Sequence, residues 1–476
     1  MIHRYRELEL NIVMDVDSGA VHVVDDISYD IIGALDAMED ISAIRRVSEK
    51  GRIDAASYEE LSGYLSFMLP SYREEDIKEA YREIAELIES DTLFSDDIYK
   101  DLITDFKGRE TVIKALCLHI AHDCNLACRY CFAGEGEYHG CRELMSFEVG
   151  KKALDLLVEN SGMRVNLEVD FFGGEPLMNF DVVKKLVEYG RSLEGPKNKR
   201  FRFTLTTNGT LLNEEILEFA NREMSNLVLS IDGRREVNDR MRPMRGGQGT
   251  YDIIVPKFLH AAKLRGQTDY YVRGTYTHDN LDFSEDVKHL AELGFEQISV
   301  EPVVAKSSES YAIREEDIDT LLSQYDELAR YMIRRKSEGK PFNFFHFMID
   351  LSGGPCVYKR LSGCGSGTEY LSVAPNGDIY PCHQFVGMPG FLLGNVDMGV
   401  VNTGLRDEFK LCNVYAKPEC RTCFAKLYCS GGCAANAYNF SGSINGTYET
   451  GCILQRKRIE CAIALKAYEA QDEQYI

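Results

Sequence analysis

Cys124-Asn-Leu-Ala-Cys128-Arg-Tyr-Cys131 places three thiols within eight residues, directly after the apolar stretch at 115–120. This spacing constrains the chain more than any secondary-structure pattern, because closely spaced cysteines outside a secreted framework mark a metal or redox site. Iron–sulfur clusters are ordinarily closed by four thiolates. A run of three leaves one iron free to bind something else, which points to catalysis rather than electron storage alone. A zinc knuckle on the same thiols is the competing reading.

With 476 residues the chain has room for roughly two to four domains. Its fifteen cysteines are confined to 117–141 and 356–461. Nothing resembles a signal peptide, and no apolar run approaches the ~18 residues of a membrane span. The expected location is therefore cytoplasmic, and metal ligation is a better reading of the cysteines than disulfides. A net charge of −22 argues against broad nucleic-acid contact, and a neutral or basic peptide partner remains compatible.

From 115 to about 300 short apolar strands alternate with amphipathic helical stretches, the pattern of successive βα units around a parallel sheet. Val165, Leu167, Val169 and Phe171 alternate with polar neighbours, as do Phe201, Phe203 and Leu205. A polar row would be costly in a sheet covered on both faces, so it is expected to line a cavity, as in a partly open (β/α)6 barrel. Asn213 is a helix N-cap candidate, followed by Glu214 and Glu215, with Leu212, Ile216 and Phe219 as a core-facing stripe.

Residues 1–95 differ. A hairpin is expected from residues 12–14 and 21–24 around Asp17-Ser18-Gly19, with helices near 27–38, 57–69 and 73–90. This resembles a winged helix. Its third helix begins Glu74-Glu-Asp-Ile-Lys-Glu, too acidic to approach phosphate. Capture of a leader peptide by strand addition fits better, and a small cap stabilising the barrel is the plainer alternative.

Downstream of Cys131 come Asp170-Phe-Phe-Gly173-Gly174-Glu175-Pro176, Thr206-Thr-Asn208-Gly209, Leu229-Ser230-Ile-Asp232-Gly233, Val272-Arg273-Gly-Thr275 and Val300-Glu301-Pro302. Together with the thiol triad and Tyr130 before its last cysteine, these resemble the radical S-adenosylmethionine (radical SAM) enzymes. The resemblance implies a 4Fe-4S cluster on Cys124, Cys128 and Cys131, with S-adenosylmethionine on its free iron. It also implies cofactor contacts from Tyr130, Gly173, Gly174, Glu175, Asn208, Ser230, Asp232, Arg273 and Glu301. Gly173 and Gly174 would let backbone groups approach the methionyl ammonium, Arg273 would pair with its carboxylate, and Asn208 and Ser230 would contact the ribose.

The tail carries Cys364 followed by Gly377-Asp-Ile-Tyr-Pro-Cys382, then Cys420, Cys423, Cys429 and Cys433, then Cys452. This order is similar to the seven-cysteine SPASM domain. The resemblance implies two auxiliary 4Fe-4S clusters, an outer one on Cys420, Cys423, Cys429 and Cys452 and an inner one on Cys364, Cys382 and Cys433. Cys356 or a substrate thiolate would complete the inner cluster. Two structural zincs would use similar spacings. Cys117, Cys141, Cys412 and Cys461 fit no pattern, Cys117 and Cys461 reading as small core residues.

The expected architecture is α/β, with a winged-helix-like peptide-recognition domain at 1–95, the partial barrel at 110–310, a helical bridge at 311–352 and the SPASM domain at 353–476. Met1-Ile-His, Asp15-Val-Asp-Ser-Gly and Gly353-Gly-Pro-Cys356-Val-Tyr-Lys-Arg-Leu-Ser-Gly-Cys364 further resemble maturases of SCIFF (six cysteines in forty-five residues) peptides. That implies a Cys-rich ribosomal precursor bound through its leader, a cysteine-to-threonine thioether formed through a 5′-deoxyadenosyl radical, and an electron donor such as ferredoxin or flavodoxin. The rival within the class is an anaerobic sulfatase-maturing enzyme making formylglycine, in which an aspartate base follows the second inner-cluster cysteine. Here that residue is His383, an alternative proton acceptor. Outside the class, the rival is a non-catalytic, zinc-stapled peptide-binding protein.

Overall fold

The computed structural model describes residues 1–38, 40–49, 51–101, 106, 108, 110–351 and 357–473. Strands β1 (Ile2–Glu7), β2 (Leu10–Asp15) and β3 (Val21–Val24) form an antiparallel sheet in that order. The expected hairpin is β2–β3, and β1 is an addition. One part of β1's cover comes from the far end of the chain: the His3 ring stacks on Phe424 at 3.5 Å, and its Nε2 lies 2.9 Å from Glu460.

Helix α1 (Asp26–Asp36) starts where Asp25 accepts the Ser28 amide. A short hairpin, β4 (Arg45–Val47) and β5 (Ile53–Ala55), precedes α2 (Tyr58–Met68), which opens on a Ser57/Glu60 capping box. In α3 (Glu74–Glu89) the acids face outward, while Ile77, Tyr81, Ile84 and Ile88 join Ile31, Leu35, Leu61 and Leu65 in a core of their own.

The main sheet is built on β6 (Ala115–His122), to which β7 (Glu143–Leu144) pairs antiparallel. Strands β8 (Asn166–Gly173), β9 (Arg200–Thr207), β10 (Met224–Ser230), β11 (Tyr270–Tyr276) and β12 (Gln297–Pro302) then follow β6 in sequential parallel order. Among the described residues the sheet does not close. Beyond β12 lies β13 (Asn343–Phe344), and beyond β6 lies β14 (Tyr370–Val373), extended by β15 (Asp378–Tyr380), β16 (Gly394–Asn395) and β17 (Gly399–Val400). The cysteine-rich segment is thus a continuation of the main sheet.

The alternation read in β8 and β9 holds. Leu167, Val169, Phe171, Phe203 and Leu205 are buried against Leu154, Leu186, Leu217 and Phe258 from the intervening helices, while Glu168 and Arg202 on the other row are exposed. Asn213 caps its helix through the Ile216 amide.

Buried charge pairs tie the N-terminal sheet to the tail. Lys426, 2% exposed, donates to Asp17 Oδ1 and Asp97 Oδ2, each at 2.8 Å, and Lys457 Nζ donates to Glu7 Oε2 at 2.6 Å. Among the described residues, no helix is long and apolar enough to cross a membrane.

Candidate active site

The loop after β6 carries the three thiols over the carboxyl ends of the parallel strands, where open α/β sheets bind their ligands. Residues 241–245 pin it from across the mouth. The Ala127 and Arg129 amides donate to the carbonyls of Pro243 and Met241 at 2.9 Å, and Arg245 Nη2 donates to Asp123 Oδ1 at 2.9 Å. The Leu126 amide donates to Cys124 Sγ at 3.4 Å. Burial pushes the Cys124 thiol up to about 12 and the Cys128 thiol to about 11, with the neighbouring thiols adding to the rise. All three cysteines are unbridged. Gathered soft donors that would release protons on binding metal fit an iron–sulfur group.

Gly173 and Gly174 are required by close chain approach. A Cβ on Gly173 would meet the Ala121 carbonyl oxygen at 2.4 Å, and one on Gly174 would meet that of Asp123 at 2.1 Å. Gly173 also has φ +123°. Glu175 is tied into the strand ends. It is fully buried, and its carboxylate accepts from the Leu177 amide, the Thr207 hydroxyl and the Asn208 amide at 2.7–3.0 Å. Burial pushes it up to about 7 against those donors. Its place in the site is to bind the end of β8 to the end of β9. Asn208 points its amide at the thiol loop, with Nδ2 2.9 Å from Asn125 Oδ1 and 3.7 Å from Cys124 Sγ.

Asp232 is also fully buried. Tyr130 Oη lies 2.8 Å from both of its oxygens, the Thr275 amide donates at 3.0 Å, and Arg242 Nη1 donates to Tyr130 Oη at 2.7 Å. Burial raises the Asp232 carboxyl to about 6, with Arg242 opposing. Ser230 and Arg273 are register partners on β10 and β11. Arg273 Nη2 sits 2.5 Å from Glu301 Oε1 and remains half exposed. Burial would raise Glu301, but Arg273, His346 and Arg458 hold it down at about 2. Across the mouth, the His383 ring lies 5.1 Å from that of Phe172 and 5.8 Å from that of Phe132, with Nδ1 3.4 Å from Tyr370 Oη. Burial lowers His383 to about 4, and Arg273 adds to the effect.

Sequence reasoning missed Arg242, Arg245 and a buried imidazole pair, His119 Nδ1 and His122 Nε2, 3.0 Å apart. Burial depresses both, His122 to about 4. In the unfolded chain His122 takes up a proton as pH falls through about 6.5, whereas the folded state refuses it until about pH 4, so its contribution to stability is lost across that window. The buried acids Asp170, Glu175 and Asp232 act in the opposite sense, so the His122 effect is read by difference. The stability advantage of wild type over His122→Gln is expected to shrink by about 1.4 kcal/mol per pH unit below about pH 6.5. Urea unfolding of metal-free protein at neutral pH and at about pH 5 measures it, and a pH-independent difference contradicts it.

In the tail the thiols fall into two groups by mutual influence. After burial itself, Cys433 and Cys364 raise Cys382, and Cys364 raises Cys433. Separately, Cys429, Cys452 and Cys423 raise Cys420, Cys452 and Cys423 raise Cys429, and Cys423 raises Cys452. Cys412 lies near Cys364 and donates to the Ile444 carbonyl at 3.3 Å. Cys117 and Cys461 are buried. Cys356 lies outside the described residues.

Residues 118–293 match the family model for the Radical SAM superfamily. The matched stretch takes in strands β8–β11 of the parallel sheet and the three-thiol loop after β6. A cysteine-type anaerobic sulfatase-maturating enzyme of Clostridium perfringens is 24% identical over 332 residues, 65% of this chain and 85% of that protein. Native anSMEcpe with bound AdoMet and Cp18Cys peptide superposes with a TM-score of 0.61 at 21% identity, over 76% of this chain and 99% of that one. SuiB of Streptococcus suis bound to precursor peptide SuiA superposes with a TM-score of 0.52 at 16% identity, over 94% of this chain and 97% of that one. The two structural likenesses establish a shared fold.

Proposed function

We propose that this protein is a radical SAM peptide maturase that joins a cysteine sulfur to a threonine carbon in a Cys-rich precursor peptide. The observation that carries this reading is the N-terminal sheet. Strand β3 is an edge strand with Val23 exposed, suited to accept a leader segment as a further strand. The fold likeness to SuiB, solved with its precursor, extends over 94% of the chain and so includes most of this region.

When bound, the cluster and S-adenosylmethionine supply a 5′-deoxyadenosyl radical that removes a hydrogen atom from the acceptor carbon. Closing the carbon–sulfur bond must release the thiol proton and one further electron, and Cys364, Cys382 and Cys433, with Cys420, Cys423, Cys429 and Cys452, would hold auxiliary iron–sulfur groups able to take that electron. The chain's own residues orient and exclude water. Glu175 fixes the strand ends, and Tyr130, Asp232 and Arg242 hold the thiol loop. Arg273 presents a guanidinium for the methionyl carboxylate, and His383 offers a neutral imidazole at the mouth as proton acceptor.

Formylglycine formation is the second reading, favoured by the similarity to sulfatase-maturating enzymes. Anaerobic incubation of reconstituted protein with a leader-bearing six-cysteine peptide separates the two. A thioether removes two hydrogens and one alkylatable thiol per cross-link, whereas formylglycine removes the sulfur. The first outcome is expected, with KM rising when the leader is deleted. Loss of sulfur, or no product with the radical site active, contradicts the proposal.

A further inference from the structure

Lys417 has no part in the site so far, yet its surroundings are unlike those of an ordinary lysine. The residue is 2% exposed, and its Nζ donates to the Gly431 carbonyl at 2.8 Å. Among the described residues it forms no ion pair with a carboxylate, whereas Lys426 and Arg45, buried to a similar degree, each have two. A buried ammonium without counter-charge is expensive, so negative charge is called for at this point in the fold.

The neighbouring groups identify where that charge comes from. Gly431 lies between Cys429, of the outer thiol group, and Cys433, of the inner one, and a Cβ placed on it would lie 3.7 Å from Lys417 Cδ and Cε. Lys417 lines one cavity together with Cys364, Cys412 and Gly432. The Cys420 amide donates to the Lys417 carbonyl at 3.1 Å, which sets the lysine beside the outer thiol group as well. The ammonium therefore stands at the junction of both thiol groups. Thiolate-ligated iron–sulfur clusters carry net negative charge that grows by one on reduction, and their potentials follow local charge and hydrogen bonding.

We propose that Lys417 is the shared counter-charge of two auxiliary iron–sulfur clusters and that it sets both of their reduction potentials upward. This rests on the reading that the two thiol groups hold such clusters. A raised potential suits groups that take the surplus electron of thioether closure. Lys417 is then a positioning and tuning residue, acting through the clusters and not on substrate.

The test uses full-length, anaerobically reconstituted protein with Cys124, Cys128 and Cys131 replaced by alanine, so that only auxiliary signals remain. Potentials are read by EPR-monitored titration in Lys417→Met, Lys417→Gln and Lys417→Arg. The neutral variants are expected to lower the reduced-to-oxidised ratio of both auxiliary signals about tenfold at fixed potential, a shift of about 59 mV for one electron, and arginine is expected to restore it. Glutamine keeps an N–H for the Gly431 carbonyl, so it reads the charge even where the methionine variant fails to retain iron. Unchanged potentials in iron-loaded neutral variants, or a shift in one signal alone, overturn the inference while leaving the clusters in place. Zinc instead of iron in the tail overturns both the inference and the reading beneath it.

Discussion

Replacing Gly174 by alanine is expected to slow S-adenosylmethionine cleavage about a hundredfold or more, although the change adds a single methyl group. The added Cβ would lie 2.1 Å from the Asp123 carbonyl oxygen and 2.6 Å from its carbon, both backbone atoms that no rotamer change can clear. The end of β8 must then part from the chain leading into Cys124, breaking the bond from the Glu175 amide to the Asp123 carbonyl at 2.9 Å. Overpacking of this kind costs about 1–3 kcal/mol, and the displacement falls on the first thiol of the triad. Gly63 in α2 provides the control. A Cβ there meets nothing within 4 Å, so Gly63→Ala is expected to stabilise the protein by about 0.5–1 kcal/mol. Release of 5′-deoxyadenosine under reducing conditions measures the rate, and a wild-type rate in Gly174→Ala contradicts this account of the glycine pair.

Asp232→Ala is expected to be the most destabilising single polar substitution in the site, at about 3–5 kcal/mol. The carboxylate is fully buried, accepts from Tyr130 and Thr275, and faces Arg242 Nη1 at 3.9 Å. Without it the Arg242 guanidinium is left buried against a tyrosine, with its Nε already unpartnered. Tyr130 precedes Cys131, so loosening it should also weaken iron retention. Because the penalty is the stranded charge, Asp232→Ala combined with Arg242→Met should recover part of the loss, a coupling that a double-mutant cycle isolates. Urea unfolding supplies the numbers, and a loss below about 1 kcal/mol, the scale of an exposed ion pair, contradicts the buried-triad picture.

What the sequence disclosed and what it hid follow from the range of the interactions. The alternation in β8 and β9 and the Asn213 cap are local patterns, and each stands where the pattern put it. Strand β1 was hidden because its cover includes Phe424 and Glu460, more than four hundred residues away. Arg242 was hidden because it meets Tyr130 across a separation of 112 residues with no motif around it. The pairing of His119 and His122 was hidden for a subtler reason. Regular strand alternation would send them to opposite faces, but the register of β6 on β8 shifts between His119 and Ala121 and brings the two rings together. Glu175 was legible as a site residue but not in its role, since only the fold reveals that its oxygens are spent on Leu177, Thr207 and Asn208. That the tail continues the main sheet through β14 was not legible either, because a four-residue strand next to β6 carries no long-range signal of its own.

The central claim is that one catalytic cluster and two auxiliary clusters share this sheet. Counting iron, acid-labile sulfide and zinc per chain in anaerobically reconstituted protein, with and without Cys124, Cys128 and Cys131, tests it most directly. About twelve irons falling to about eight in the triple alanine variant is the predicted result, as three thiolate-held 4Fe-4S groups require. Little iron with stoichiometric zinc, or an iron content that does not depend on the triad, would contradict the account.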